Sequence, residues 1–213
     1  MELIQEIKIE TLEQDLYSRH KDIDMKIPLE IFVVGCGGTG TWVSIMSAMV
    51  GVKAIHISDH DILEQHNRSR LPYKADDVGR LKTEVLKEFI LSIRPDCTVY
   101  TYGGIHSEMD LFALTGEVIF DCNDNPEIQK MIFKYCKEYK LKYVGVGCNA
   151  DHVTVLDDLD LVIGDNEASP YEATPMFLIP AILSASCALW NVIKNRQKNI
   201  YVLKNISDML GDK

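Results

Sequence analysis

A glycine-rich hexapeptide, GCGGTG at positions 35–40, directly follows the apolar run LEIFVV at 29–34. Its glycines would let the backbone of a strand-to-helix turn approach a phosphate closely, and the free N–H groups at a helix start attract anions. The same glycines could instead serve only tight packing between strand and helix. We interpret the turn as a nucleotide-binding element formed by Gly35, Gly37, Gly38 and Gly40. Such a turn alone does not separate a dinucleotide from ATP.

Two acids follow the next apolar segment, AIHIS at 54–58. Asp59 lies 19 residues after Gly40, a usual distance for an acid that binds a ribose hydroxyl. Asp61 belongs to the same short loop. We therefore assign both carboxylates to the nucleotide site.

Three further polar residues favour a polyphosphate over a dinucleotide. Arg70 and Lys82 could neutralise phosphate charge while the α-phosphorus is attacked, and Asn67 could bind a phosphate or ribose oxygen. A hydride-transfer site needs a ribose anchor but no such set of cations. A surface ion pair for Arg70 and an exposed helix position for Lys82 are the alternatives without a ligand.

Strands and helices alternate along the chain and must position these groups. The pattern predicts strands at 29–34, 54–58, 98–103, 117–121 and 142–147, with helices at 39–51, 79–93 and 126–140. This order predicts a Rossmann-like α/β fold with a doubly wound, mostly parallel sheet. Farther on, the sequence predicts an antiparallel hairpin at 152–165 and a long apolar helix from about 176 to 195.

Composition narrows the classes of function. A formal charge of −10 argues against nucleic-acid binding. The apolar stretch at 177–190 is too short to span a bilayer, and the N-terminus has no signal-peptide pattern, so we expect a cytoplasmic protein. The six cysteines form no C-x-x-C pair, which predicts neither disulfides nor structural zinc.

Together these motifs resemble the ThiF/MoeB and ubiquitin-activating enzyme family, which shows G-x-G-G-x-G, D-x-D, N-x-x-R and G-x-x-K in this order. The segment DCNDN at 121–125 is similar to the family's D-C-x-D-N, and this places Asp124 at the magnesium-binding aspartate and Asn125 in the ATP site. The segment LYSRH at 16–20 partly resembles R-Y-x-R-Q, which places Arg19 at an arginine finger that reaches the neighbouring subunit's ATP. The chain looks most like small bacterial, plasmid and phage ThiF-type proteins, such as those of PRTRC gene clusters.

The resemblance implies a single adenylation domain over 1–213. Its parts are an N-terminal arm at 1–28, a nucleotide-binding core at 29–147, and a crossing loop with a C-terminal helix at 148–213. The implied reaction is attack of the C-terminal glycine carboxylate of a small ubiquitin-like protein on ATP·Mg²⁺. The implied partners are that carrier, an E2-like conjugating protein and a second copy of the chain.

One position of the crossing loop departs from many relatives, which carry a thioester-forming cysteine there. The loop reads SPYEATPMF, so Ala173 stands where such a cysteine could lie. Either the protein stops at the acyl-adenylate or a cysteine has been replaced. Cys148 and Cys187 are the fallback candidates.

Three other functions stay open. An NAD(P)-dependent oxidoreductase would use the glycine turn and Asp59 but leave Arg70, Lys82 and Asp124 idle. A non-catalytic half of a heterodimeric activating enzyme would not need those three residues intact. An adenylating enzyme could also act on a small molecule or a tRNA base.

Overall fold

The computed structural model describes residues 16–20, 23–148, 152–157, 178–194 and 204–205. The strands are β1 (Glu30–Val34), β2 (Ala54–Ser58), β3 (Thr98–Tyr102), β4 (Val118–Asp121), β5 (Lys142–Cys148), β6 (His152–Leu156) and β7 (Lys204–Asn205). The α-helices are α1 (Gly38–Val50), α2 (Lys82–Ile93), α3 (Pro126–Tyr139) and α4 (Leu178–Ile193).

In the part of the chain that the structure describes, these strands form one seven-stranded sheet, in the order β3-β2-β1-β4-β5-β6-β7. The pairs from β3 to β5 are parallel, and β6 and β7 add an antiparallel extension. The predicted Rossmann-like α/β fold is confirmed. The strand order reverses between β1 and β4, and ligands of such sheets bind in the crevice at the carboxyl ends of the strands beside that reversal.

The central strands lie inside the core. Ile31, Phe32 and Val33 of β1 are fully buried, as is Phe120 of β4, because helices cover parallel strands on both faces. Helix α4 packs along α1, where small buried side chains, including Ser44, Ala48, Ala181, Ala185 and Ala188, permit a close approach.

Two details differ from the sequence interpretation or extend beyond it. The helix predicted at 79–93 begins only at Lys82, because Gly79 adopts a positive φ of 93° and Leu81 forms a β-bridge with Ile62. The first half of the predicted hairpin is β6, which pairs with β5 and β7. Residues 158–165 lie outside the described residues.

Among the described residues, no helix combines the length and apolar character needed to cross a membrane.

Candidate active site

A cavity of about 480 Å³ opens at the carboxyl ends of β1, β2 and β4. It brings together nine of the residues singled out in the sequence: Gly35, Gly37, Gly38, Asp59, Asp61, Arg70, Lys82, Asp124 and Asn125. Three others, Gly40, Asn67 and Arg19, are not among its lining residues. Ala173 lies outside the described residues.

The glycines of the turn have different reasons to be glycine. Gly35 has φ +88°, and a Cβ there would lie 2.9 Å from the carbonyl oxygen of Cys122. A Cβ on Gly40 would lie 1.8 Å from the carbonyl oxygen of Gly35, so Gly40 serves packing. At Gly37 a Cβ meets no atom of the described residues within 4 Å, and α1 starts there without a side-chain cap. Gly37 therefore leaves the positive end of α1 open to the cavity.

Asp59 is tied to the turn. One carboxylate oxygen accepts a hydrogen bond from the Cys36 N–H at 2.6 Å, and the other accepts from the Asp61 N–H at 2.8 Å. These bonds fix the acid beside Gly37. Each oxygen keeps a further lone pair that could accept from a ribose hydroxyl.

Lys82 occupies the first position of α2 and is paired. Its ammonium donates to the Asp61 carboxylate at 2.6 Å, while its backbone N–H donates to the Asp61 carbonyl at 3.0 Å. The Lys82 side chain is buried, whereas the Asp61 side chain is half exposed. The hydrogen bond from Lys82 lowers the pKa of Asp61, so the Asp61 carboxyl group is ionised at neutral pH.

Arg70 differs from Lys82 in having no acidic partner within the described part of the chain. Among the described residues, no carboxylate lies within 4.0 Å of its guanidinium, and its buried Nε has no hydrogen-bond partner. The Trp42 indole N–H donates to the Arg70 carbonyl at 3.0 Å, which ties this turn to α1. An unpartnered guanidinium that lines a cavity is suited to bind an anionic ligand.

Asn67 shapes the turn that presents Arg70. Its side chain is buried, and its Oδ1 accepts from the Glu64 N–H at 2.9 Å. Its carbonyl accepts from the Arg70 N–H at 3.0 Å. These contacts give Asn67 a structural task that the N-x-x-R spacing did not reveal.

Asp124 lies in a loop held by asparagines. Asn125 caps α3, because its Oδ1 accepts from the N–H groups of Glu127 and Ile128, at 2.9 and 3.3 Å. Asn123 Oδ1 accepts from the Asn125 N–H at 2.9 Å. The exposed Asp124 carboxylate has no hydrogen-bond or ion-pair partner among the described residues. A free carboxylate on a cavity that could hold phosphates fits Mg²⁺, which binds through one or two carboxylates and phosphate oxygens.

The cavity also contains two histidines at its β2–β3 side. The rings of His60 and His106 lie 4.5 Å apart, centroid to centroid, and both line the cavity. His106 follows β3 in a loop with no recognisable motif, so no sequence signal pointed to its place in the cavity. Within the described ranges, Asp59, His60 and Asp61 place one ligand atom each within 4.8 Å of one another. The Lys82 ammonium already occupies Asp61 Oδ2, and His60 Nε2 lies 3.5 Å from Asp61 Oδ1.

A buried carboxyl group supports the loop of Asp124. Asp121 ends β4 with 1% of its surface exposed. It accepts from Tyr143 Oη at 3.0 Å and from both the backbone N–H and the side-chain amide of Asn123. Burial raises the pKa of Asp121 to about 7, and these hydrogen bonds limit the rise.

This raised pKa predicts a pH dependence of stability. The native state binds more protons at Asp121 than the unfolded chain between about pH 4 and pH 7, so the free energy of unfolding falls as pH rises through that window. Urea unfolding at about pH 5 and about pH 8 should show a loss for the wild type that exceeds the loss for Asp121→Asn by about 2 to 3 kcal/mol. Identical losses in the two proteins would contradict the assignment.

The strand order, with its reversal between β1 and β4, is that of a Rossmann-like α/β fold. The chain belongs to the ThiF family: the model of that family matches residues 27–173, more than half of the chain.

Curated proteins also match in sequence, among them the following two relatives. The tRNA threonylcarbamoyladenosine dehydratase of Haemophilus influenzae is 31% identical over 121 residues, which cover 55% of this chain and 46% of that protein. The ubiquitin-like modifier-activating enzyme 5 of Oryza sativa is 26% identical over 155 residues, covering 66% of this chain and 35% of that protein. The chain thus spans less than half the length of these relatives, both of which are named as enzymes.

Escherichia coli MccB, solved with ATP, resembles the structure. The TM-score is 0.68 at 21% identity, over 84% of this chain and 64% of the MccB chain. At this identity the likeness establishes the fold.

Proposed function

We propose that this protein is an ATP-dependent adenylyltransferase that activates the C-terminal carboxylate of a small ubiquitin-like or sulfur-carrier protein. The observation that carries the proposal is the convergence on one cavity of a glycine turn, the Arg70 guanidinium and the Asp124 carboxylate, neither of which has an oppositely charged partner among the described residues. A hydride-transfer site has a use for the turn and Asp59 but none for Arg70 and Asp124. The intact Arg70, Lys82 and Asp124 also argue against an inactive half of a heterodimer.

In the proposed reaction, a carboxylate oxygen of the carrier forms a bond to the α-phosphorus of ATP while the bond from that phosphorus to pyrophosphate breaks. A carboxylate is a nucleophile at neutral pH without a general base, so the protein has to supply positioning and charge. The N–H groups of the glycine turn and Arg70 bind phosphate oxygens and stabilise the charge that develops on them. The Asp59 carboxylate accepts a hydrogen bond from a ribose hydroxyl group.

The proposed metal is Mg²⁺, held by Asp124. When bound, it supplies positive charge beside the phosphates. The hydrogen bond from the Asn125 N–H to Asn123 and the buried Asp121 carboxyl group, which accepts from Asn123, hold the Asp124 loop in place for this task.

The relatives support this reading at a coarser level. One is named as an activating enzyme for a ubiquitin-like modifier, and MccB has been solved with ATP. Because the match spans only part of each relative, their activities, substrates and partners enter here as proposals for this chain.

We also propose that the protein forms a homodimer. Arg19 is exposed in the segment 16–20 and does not line the cavity of its own subunit, which agrees with a role at a neighbouring subunit's site. A monomeric mass by light scattering, with full activity, would contradict the dimer.

A second candidate function is adenylation of a modified tRNA nucleoside, which the name of the Haemophilus influenzae relative favours. The formal charge of −10 opposes it, because tRNA binding normally requires a basic surface.

ATP–pyrophosphate exchange tests the two functions. Ubiquitin-like proteins that end in glycine should stimulate exchange, and the same proteins with the terminal glycine removed should not. Stimulation by tRNA alone would favour the second candidate.

Because Ala173 cannot form a thioester, the unmodified protein should stop at the adenylate, and Ala173→Cys should yield a thiol-cleavable carrier adduct.

A further inference from the structure

Lys82 and Arg70 both line the cavity, but Lys82 pairs with the Asp61 carboxylate and Arg70 has no carboxylate partner among the described residues. This difference suggests a specificity role for Asp61. We propose that Asp61 is the built-in counter-ion of Lys82 and makes the site favour metal-complexed ATP over metal-free ATP. This inference rests on the proposed ATP site and goes beyond it, because the resemblance assigns Asp61 to nucleotide contact.

The backbone builds the Asp61–Lys82 pair into the fold. The loop after β2 and the segment before α2 run antiparallel, with hydrogen bonds from Lys82 N–H to Asp61 O, from Leu63 N–H to Arg80 O and from Gly79 N–H to Leu63 O, at 3.0, 2.7 and 2.8 Å. The β-bridge between Ile62 and Leu81 lies between them. The backbone register therefore places Asp61 and Lys82 next to each other, within reach of a side-chain ion pair.

The burial of the Lys82 side chain beside Asp61 limits how a ligand can reach the Lys82 ammonium. The Lys82 side chain is 10% exposed, and its ammonium lies 2.6 Å from the Asp61 carboxylate, which is 52% exposed and lines the cavity. A phosphate that reaches Lys82 must compete with this carboxylate and also meets its negative charge. Arg70 imposes no such competition, because no carboxylate of the described residues pairs with it.

The competition depends on the charge of the ligand. Metal-free ATP carries more negative charge than ATP·Mg²⁺, so the Asp61 carboxylate repels it more strongly. Asp61 thus disfavours nucleotides that arrive without the metal.

The test is the dissociation constant of ATP, with Mg²⁺ and with chelator, for the wild type, Asp61→Asn and Glu127→Gln. Glu127 is the matched control, because it lines the same cavity, is exposed and forms no ion pair within the described residues. Asp61→Asn should bind metal-free ATP about tenfold more tightly, while its affinity for ATP·Mg²⁺ changes less than about threefold. Glu127→Gln should change both affinities less than about threefold.

Asp61→Ser, which removes the charge with a different shape, should repeat the Asp61→Asn result, and thermal unfolding confirms that each variant is folded. An unchanged or weaker affinity of both Asp61 variants for metal-free ATP would overturn the proposal. An equal gain in affinity in Glu127→Gln would also overturn the proposal, because repulsion of metal-free ATP by any carboxylate on the cavity would then explain the gain. A wild type that binds no ATP in either condition would instead refute the ATP site itself.

Discussion

The Arg70→Ala variant is expected to lose about 100-fold or more of the ATP–pyrophosphate exchange rate while it keeps its fold. A loss of this size in reaction rate is typical when one preorganised hydrogen-bond donor to a developing oxyanion is removed. Arg70 has no acidic partner among the described residues, so its removal leaves no carboxylate of that set unpaired. The effect should therefore fall on the reaction and spare the free energy of unfolding.

The matched control is Arg68→Ala, two residues away. Arg68 does not line the cavity, and its guanidinium donates to Gln65 Oε1 at 3.2 Å. Exchange should stay within about threefold of the wild type in this variant, in line with a surface substitution. Near-normal exchange in Arg70→Ala, or an equal loss in Arg68→Ala, would exclude a role for Arg70 in the transition state.

The Gly40→Ala variant should lose the most stability. Its Cβ would lie 1.8 Å from the carbonyl oxygen of Gly35 and 3.2 Å from the Cys122 Cβ, so backbone must move. We expect the free energy of unfolding to fall by more than about 3 kcal/mol, beyond the usual cost of an overpacked core. Urea unfolding followed by circular dichroism measures the loss.

Gly37→Ala is the companion variant and should separate packing from binding. Its Cβ has open space among the described residues, and φ at Gly37 is −74°, which alanine adopts. The free energy of unfolding should change by less than about 1 kcal/mol. The affinity for ATP·Mg²⁺ should fall at least about tenfold, because the methyl group would project into the part of the cavity proposed to hold the phosphates. A Gly40→Ala protein as stable as the wild type, or a Gly37→Ala protein with full affinity for ATP·Mg²⁺, would contradict this division of roles.

Much of the candidate site could be predicted from the sequence because its parts follow the ends of parallel strands. The glycine turn follows β1, Asp59 follows β2 and Asp124 follows β4. Parallel strands bring their carboxyl ends to one edge, so the fold class alone gathers these groups. Arg70 and Lys82 were predicted from their spacing, and the structure places both on the cavity.

The contacts between individual side chains of the site could not be predicted in the same way. Whether Lys82 is free or paired depends on the antiparallel register of two loops, and no local pattern encodes that register. The same bridge between Ile62 and Leu81 delays the start of α2. His106 lines the cavity from an irregular loop, and the buried Asn67 side chain accepts a hydrogen bond from the Glu64 N–H. Motif spacing predicted neither placement.

The central claim is that the cavity binds ATP·Mg²⁺ and not a dinucleotide, and calorimetric titration of the purified protein tests it most directly. ATP·Mg²⁺ should give a saturable heat with one site per chain, NADH should give none, and Asp124→Asn should weaken the response to ATP·Mg²⁺. Clear binding of NADH, with no response to ATP·Mg²⁺, would contradict the account.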